Sequence, residues 1–373
     1  MKIAVAGYVC LDMTPTFPNT GEHRPVSEIL IPGKLVQVGR PTVAVGGCVS
    51  NTGLALKFFG ADTMLIAKIG NDSFGHLILE QYKEHCADTS NFIISDGYTT
   101  SYTFALAIPG NDRIFLSDPG ANDGFSTDDI NFDKLSSCEL FHFGYPTLMR
   151  RFYENEGAEC VSLFQKVKSM GLITSMDLAM TDPNSKSGKT DWEKIFKKVL
   201  PLIDIFTPSF EELCFLIDRP KYEMIKKRSG QDDMCLHLSL DEDIIPLAQK
   251  VLSMGCHAVL LKCGTPGMYF ATSSSEIMKK ISPVFSDDWG DLSIFEQSYV
   301  PDKICSGTGA GDTSIAAFLY SMLSKRSPQQ CLHNAAGTGA MNLTAYDSLS
   351  GLLPLDMLEE KIAAGWEKQP RLL

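Results

Sequence analysis

The sequence predicts an α/β fold built on a mostly parallel central sheet. Short apolar strands alternate with amphipathic helical segments through 139–262. The chain begins with a compact apolar run, Ile3-Ala4-Val5-Ala6, closed by Gly7. One stretch, 97–117, changes to a period of two, which adds an antiparallel hairpin to an otherwise strand-helix array.

Taken in order, Ile3 to Ala6 reads as a central parallel strand. A single basic residue, a very short apolar run and the early Asp12 argue against a signal peptide. Asp12 is expected in the loop beyond the strand's C-terminal end, the edge where open α/β sheets bind ligands; a plain turn residue is the alternative. Residues 13–45 hold five prolines and β-formers at Leu35, Val36, Val38, Val43 and Val45, so irregular loop with short strands is expected. Gly46-Gly47 leads into a short apolar helix that stops at Gly60, with Asn51 near its start. Thr63 to Ile69 reads as a buried strand. Phe74, Leu77, Ile78 and Tyr82 mark a helix, and Phe92 to Ser95 another strand.

In 97–117, Thr99, Ser101, Thr103, Ala105 and Ala107 alternate with Tyr98, Tyr102, Phe104, Leu106 and Ile108. A turn is expected at Pro109-Gly110-Asn111-Asp112, and the chain returns through Arg113 to Leu116. The hairpin either joins the strands of 34–45 in a separate small sheet, a lid, or decorates the edge of the main sheet. Strand-helix units follow at 139–143 and 158–170, 172–177 and 191–200, 203–207 and 209–217. A further unit is read at 245–254 and 257–262. The polar stretch 218–243 and the stretch 273–297 read as long insertions or loops.

With 373 residues, the chain suits one large domain or two smaller ones. A formal net charge of −12 argues against nucleic acid or an anionic membrane as partner. The 11 cysteines show no Cys-x-x-Cys and lie mostly in apolar runs, which suggests reduced thiols and a cytoplasmic protein. The seven histidines show no metal-ligand spacing, and no apolar run reaches the length of a membrane span.

The chemistry concentrates at Gly307-Thr308-Gly309-Ala310-Gly311-Asp312. An extended run, Tyr299 to Ile304, precedes it. An apolar helical face follows, carried by Ile315, Phe318, Leu319, Met322 and Leu323. A glycine-rich turn at a helix start offers unpartnered amides to an anion, usually phosphate. A carboxylate beside such a site repels its ligand unless it accepts a proton from a hydroxyl attacking phosphorus. The helix start is expected to keep Asp312 ionised, hence a weak base, which a loose phosphoryl-transfer transition state tolerates. A dinucleotide loop is disfavoured because that motif normally sits in the first strand-helix unit. An ordinary capped turn is the remaining alternative. Pro183 to Thr190 imitates a P-loop but begins with proline where the motif needs glycine.

Gly46-Gly47 with Asn51, the hairpin, and Gly309-Ala310-Gly311-Asp312 in that order resemble the PfkB, or ribokinase-like, family of carbohydrate kinases over essentially the whole chain. Further matches are Gly60-Ala61, Gly70, Asp72-Ser73-Phe74-Gly75, Gly120-Ala121-Asn122, Thr207-Pro208 and Asn334-Ala335-Ala336. The resemblance implies a three-layer α/β/α sandwich with a β-sheet lid. The core would be 1–12, 46–95 and 119–373, and the lid 13–45 and 96–118. It implies ATP and Mg²⁺ as cofactors and a small sugar as acceptor, with dimer pairing through the lid in many relatives.

The same resemblance gives roles. Asp12, Gly46, Gly47 and Asn51 would bind sugar hydroxyls. Gly309, Ala310 and Gly311 would form the anion hole, and Asp312 would be the base. Gly264, Gly267 and Asn334 would lie near the adenosine. The family's Asn-x-x-Glu motif reads Ser209 to Glu212 here, so Ser209 would face the nucleotide and Glu212 would orient metal-bound water. Lys262 stands where relatives often carry a small hydroxyl residue, and its ammonium is expected to face ATP phosphates. Ser306-Gly307 replaces a leading Asp-Thr, which leaves activation by a monovalent cation open. Tyr145 aligns with a sugar-binding glutamate of ribokinases, which argues against simple ribose specificity. A nucleoside acceptor and a non-catalytic binding relative are the alternative functions.

Overall fold

The computed structural model describes residues 1–18, 25–109, 114–230 and 232–371. Fourteen strands are found among them: β1 (Lys2–Gly7), β2 (Cys10–Thr14), β3 (Thr42–Gly46), β4 (Asp62–Ile66), β5 (Lys68–Gly70), β6 (Ile93–Ser95), β7 (Tyr102–Leu106), β8 (Ile114–Asp118), β9 (Leu140–Gly144), β10 (Ile173–Asp177), β11 (Ile205–Phe206), β12 (Ala258–Lys262), β13 (Gly267–Thr272) and β14 (Ser293–Gln297). The main sheet runs β14-β13-β12-β11-β10-β9-β1-β4. From β4 to β12 the neighbours are parallel, and β13 and β14 add antiparallel strands at the far edge.

Strand alternation sorts the core into two layers. Ala4, Ala6, Phe141, Phe143, Met176 and Phe206 point to one face, under the Ala158–Ser169, Trp192–Val199, Phe210–Ile217 and Ile245–Ser253 helices. Ile3, Val5, Leu140, Ile173, Ile205 and Leu260 point to the other, under the Cys48–Phe58, Ala310–Leu323 and Pro328–Asn342 helices. A parallel sheet buried on both sides needs apolar residues at consecutive positions, which is why its strands read as short apolar runs. The product is a three-layer α/β/α sandwich.

The small sheet is ordered β3-β2-β7-β8 and stands apart from the main one. Its first strand begins at Cys10, so Asp12 lies on a strand and not in the expected loop. Leu11, Val45 and Ala105 face inward, while Val43, Phe104, Phe115 and Leu116 are exposed. Residues 110–113, which carry most of the expected hairpin turn, lie outside the described residues.

Several expectations are corrected. Thr63 to Ile69 is two strands, because the chain leaves the main sheet at Ala67 and β5 pairs with β6 instead. Lys68 holds the departure by reaching the Gly124 carbonyl and Asp129. Leu35, Val36 and Val38 form no strand; Leu35 is 96% exposed, so the apolar pattern had no buried face behind it. Val26–Ile29 is a single helical turn. Tyr299 to Ile304 makes no ladder, and Tyr299 stacks on Trp366 with ring centroids 4.7 Å apart.

Neither expected insertion is a loop. Arg219–Ser229 is a helix whose N-terminus Asp218 caps, accepting from the Lys221 amide. It buries Tyr222 and Ile225 beside Met234, Cys235 and Leu238, while its many basic residues are solvated and masked the pattern. The 273–297 stretch supplies the Ser275–Ile281 helix and edge strand β14, and it buries Met278, Phe285 and Trp289 in the core. Trp289→Ala is therefore expected to cost about 3–5 kcal/mol in chemical denaturation, the usual range for a large core truncation. A loss below about 0.5 kcal/mol, typical of a surface change, would contradict the packing.

Candidate active site

The C-terminal edge of the parallel strands gathers the chemistry, as expected for an open α/β sheet. Gly309 caps the Ala310–Leu323 helix with φ +77°, a left-handed conformation that glycine tolerates. A Cβ there would lie 2.6 Å from Ser348 Cβ. The helix then begins at Ala310 with first-turn amides that have no partner within it.

Asp312 is only 5% exposed. Its Oδ2 accepts from Asn51 Nδ2 at 3.0 Å, and Thr52 Oγ1 lies 3.4 Å from Oδ1. The Tyr145 phenol donates to both oxygens, at 2.8 and 2.7 Å. Burial raises the Asp312 pKa; Lys262, the phenol, Asn51 and Thr52 oppose the rise without cancelling it. This corrects the expectation of a weak base. With its pKa raised by burial, Asp312 is a stronger base than a solvated carboxylate.

Lys262 ends β12 and its Nζ lies 2.7 Å from Asp177 Oδ1, at the end of β10. Burial pushes Asp177 up to about 8 against the pull of Lys262, with Glu212 and Asp312 adding to the rise. Burial works against the Lys262 ammonium, but Asp177, Glu212 and Asp312 keep its pKa above the ordinary value. Both partners shift upward, so the cluster is short of positive charge and Lys262 stays cationic. A Cβ on Gly311 would lie 3.5 Å from Lys262 Nζ, which sets the ammonium beside the glycine turn.

A cleft of about 660 Å³ joins these groups. Gly307 to Asp312, Asp177, Ser209, Glu212, Lys262, Gly264 and Gly267 all line it, and Phe115 joins them from the small sheet. Ser209 and Glu212 form a reciprocal cap: the Ser209 amide donates to Glu212 Oε2 at 2.9 Å, and the Glu212 amide donates to Ser209 Oγ at 3.1 Å.

Asp12 lies on β2 and accepts from Cys10 Sγ at 3.2 Å. Burial pushes it up to about 6, Cys10 pulls it down, and the charge of Asp312 adds to the rise. A Cβ on Gly46 would overlap Asp12 Oδ2, and one on Gly47 would come within 2.5 Å of the Tyr8 carbonyl. The glycine pair thus makes room for Asp12 and for entry into the helix that carries Asn51. Asn334 is a correction. It was expected near the adenosine, but its Nδ2 donates to Ser321 Oγ and Glu359 Oε1 in a buried bridge between helices, away from the cleft lining.

Sequence reasoning missed Asp177, although a carboxylate closing an apolar strand at the ligand edge was a usable signal. It also missed the bond from Tyr145 to Asp312, for which no local signal existed.

A family model described as pfkB family carbohydrate kinase matches residues 19–354. The chain belongs to that family. An uncharacterized sugar kinase of Archaeoglobus fulgidus is 24% identical over 299 residues, covering 80% of this chain and 98% of the relative. Fructokinase-2 of Solanum lycopersicum is 24% identical over 182 residues, 48% of this chain and 54% of that protein. Among solved structures, an Arabidopsis thaliana ribokinase complexed with ribose and ATP superposes with a TM-score of 0.68 at 17% identity, covering 96% of this chain and 97% of that one. A Xylella fastidiosa fructokinase with bound ATP gives 0.68 at 16% identity, covering 97% and 99%. At these identities the structural matches establish the pfkB member's fold, which is ribokinase-like.

Proposed function

We propose that this chain is an ATP-dependent kinase that transfers the γ-phosphoryl group to a primary hydroxyl of a small sugar. The carrying observation is Asp312, a buried carboxylate one turn into the helix that the glycine turn opens, with Lys262 across the same cleft. The sugar and ATP of the related structures agree with that reading. The alcohol oxygen attacks phosphorus, Asp312 takes its proton, and the Gly309–Gly311 amides hold the phosphoryl oxygens in place of water. Asn51 orients Asp312, and Asp12 offers a hydrogen-bond acceptor on the sugar side. Gly264 and Gly267, with Thr265 between them, offer backbone to the nucleotide.

Mg²⁺ fits this site on charge: three carboxylates surround one ammonium; burial raises all three pKa values, and neighbouring carboxylates add to the rise at Asp177 and Glu212, a repulsion that a cation would relieve. No three ligating side chains converge among the described residues. The ion would therefore be held chiefly by phosphates and water, with Glu212 orienting a water, and it would supply neutralisation of phosphate charge. Ser306, bonded to Thr308 Oγ1, offers only a hydroxyl where a monovalent cation would want a carboxylate. The exposed apolar face of the small sheet suits pairing with a second copy. Among the described residues no helix is long and apolar enough to cross a membrane, and the buried thiols fit a cytoplasmic setting.

Lys262→Ala is expected to raise the Michaelis constant for ATP by about 10- to 100-fold, the worth of one charge-assisted hydrogen bond. An unchanged constant would remove Lys262 from the phosphate path. ADP release measured with pentoses, hexoses, keto-deoxy acids and nucleosides tests the reaction itself. One acceptor class should raise the rate well above the acceptor-free level. If none does, the protein is a binding relative.

A further inference from the structure

Three donors reach the Asp312 carboxylate, and the single phenol proton of Tyr145 is shared between its oxygens. Oδ1 faces the Tyr145 phenol and Thr52, and Oδ2 faces the phenol and Asn51. A carboxylate offers about four lone-pair sites, and what matters is which donor stands on the side that a substrate would approach. An alcohol reaching Asp312 from the cleft meets the Tyr145 phenol. Asn51 and Thr52 are buried on the Cys48–Phe58 helix and fixed by its packing. Tyr145 alone of the three lines the cleft and is half-buried.

The Tyr145 backbone is pinned. It has φ 67° and ψ 40°, its amide donates to the Asp177 carbonyl at 3.2 Å, and its own carbonyl accepts from Leu148. A bulky residue in that region carries strain, so the surrounding structure holds its backbone where it is and leaves movement to the side chain. The ring sits 6.2 Å from that of Tyr8, at the root of the small sheet.

We propose that Tyr145 is the acceptor-side gate of this kinase: its phenol holds the place of the substrate alcohol on Asp312, keeps water off the base, and swings aside when the acceptor binds. The proposal rests on reading Asp312 as the base. Its chemical purpose is to suppress a wasteful reaction. With water at the base, a water oxygen would bond to the γ-phosphorus and the bond from phosphorus to the β,γ-bridging oxygen would break. ADP would leave with that electron pair, and the water proton would pass to Asp312 and on to solvent. The products would be ADP and inorganic phosphate. With the phenol in place, the only species that opens the site is one whose binding elsewhere, on the Asp12 side, repays the lost hydrogen bond.

The test is ADP release by the Tyr145→Phe protein with ATP and Mg²⁺ in the absence of any acceptor, followed by acceptor titration. Phenylalanine keeps the ring and its packing. Acceptor-free ADP release should rise about tenfold or more, the worth of one hydrogen bond to a charged group. The acceptor Michaelis constant should fall, since nothing remains to be displaced. A structural role for the phenol would instead lower both acceptor-free and acceptor-dependent rates. Acceptor-free release at or below the wild-type rate overturns the gate. The double variant Tyr145→Phe with Asp312→Asn separates the two ideas. Extra hydrolysis that survives in the double variant counts against Asp312 as base, whereas no extra hydrolysis in Tyr145→Phe alone, with Asp312 still essential to turnover, counts against the gate alone.

Discussion

Asp312→Asn is expected to lower kcat by about 10²–10⁴-fold, the contribution of a positioned general base. The change keeps shape and volume but removes the proton acceptor. The unfolding midpoint should stay near the wild-type value, because two effects oppose each other. The phenol and Asn51 lose a charged partner, and the buried cluster of Asp312, Asp177 and Glu212 loses one negative charge. The ATP Michaelis constant should change little, since the phosphate contacts come from backbone amides and Lys262. The pH profile carries the same information. Burial holds the Asp312 pKa above the ordinary carboxylate value, against Lys262, Tyr145, Asn51 and Thr52, with Asp177, Glu212 and Asp12 as its charged neighbours. Activity should therefore decline as pH falls through that raised pKa, on an acid limb above the usual carboxylate range. The limb should disappear in the asparagine protein. Turnover within about tenfold of wild type, less than a general base supplies, would mean that the proton goes elsewhere.

The parts legible in the sequence were those whose signal is local. A buried parallel strand is an apolar run, so Ile3–Ala6 and the strands ending near Gly144, Asp177 and Lys262 could be read directly. The anion turn is likewise local, since three glycines and a helical face lie within some fifteen residues. What was not legible depends on pairs far apart in the chain. Tyr145 meets Asp312 across 167 positions, and Lys262 meets Asp177 across 85. The strength of Asp312 as a base followed the same logic: the helix start is visible in sequence, but the burial that raises its pKa comes from other segments. The Arg219–Ser229 helix was hidden because a few buried side chains anchor it among many charged ones. Asn334 is a contrasting case: a family-like position suggested a place near the adenosine, and its Nδ2 is engaged with Ser321 and Glu359, apart from the cleft lining.

Gly309→Ala should damage the enzyme in a manner distinct from Gly311→Ala, and the contrast tests the anion turn. At Gly309 the backbone is left-handed, which costs an alanine about 1–2 kcal/mol before any contact is counted. The added carbon would also press on Ser348 Cβ at 2.6 Å and on Asn51 Cγ at 3.4 Å. The turn has to shift, and with it the amides and the Asn51 contact that orients Asp312. The expected result is a kcat loss of about 10²–10³-fold, the effect of losing one preorganised donor, together with a lower unfolding midpoint. At Gly311 the backbone φ is not positive, and the nearest atoms to an added carbon belong to the flexible Lys262 side chain at 3.4–3.5 Å. An alanine there leaves the fold intact but intrudes on the space between the turn and the ammonium. Its effect should appear as a raised ATP Michaelis constant with the unfolding midpoint preserved. Equal effects from the two substitutions would mean that the turn acts only as a structural cap, because a phosphate cradle distinguishes the residue that shapes it from the residue that faces its ligand.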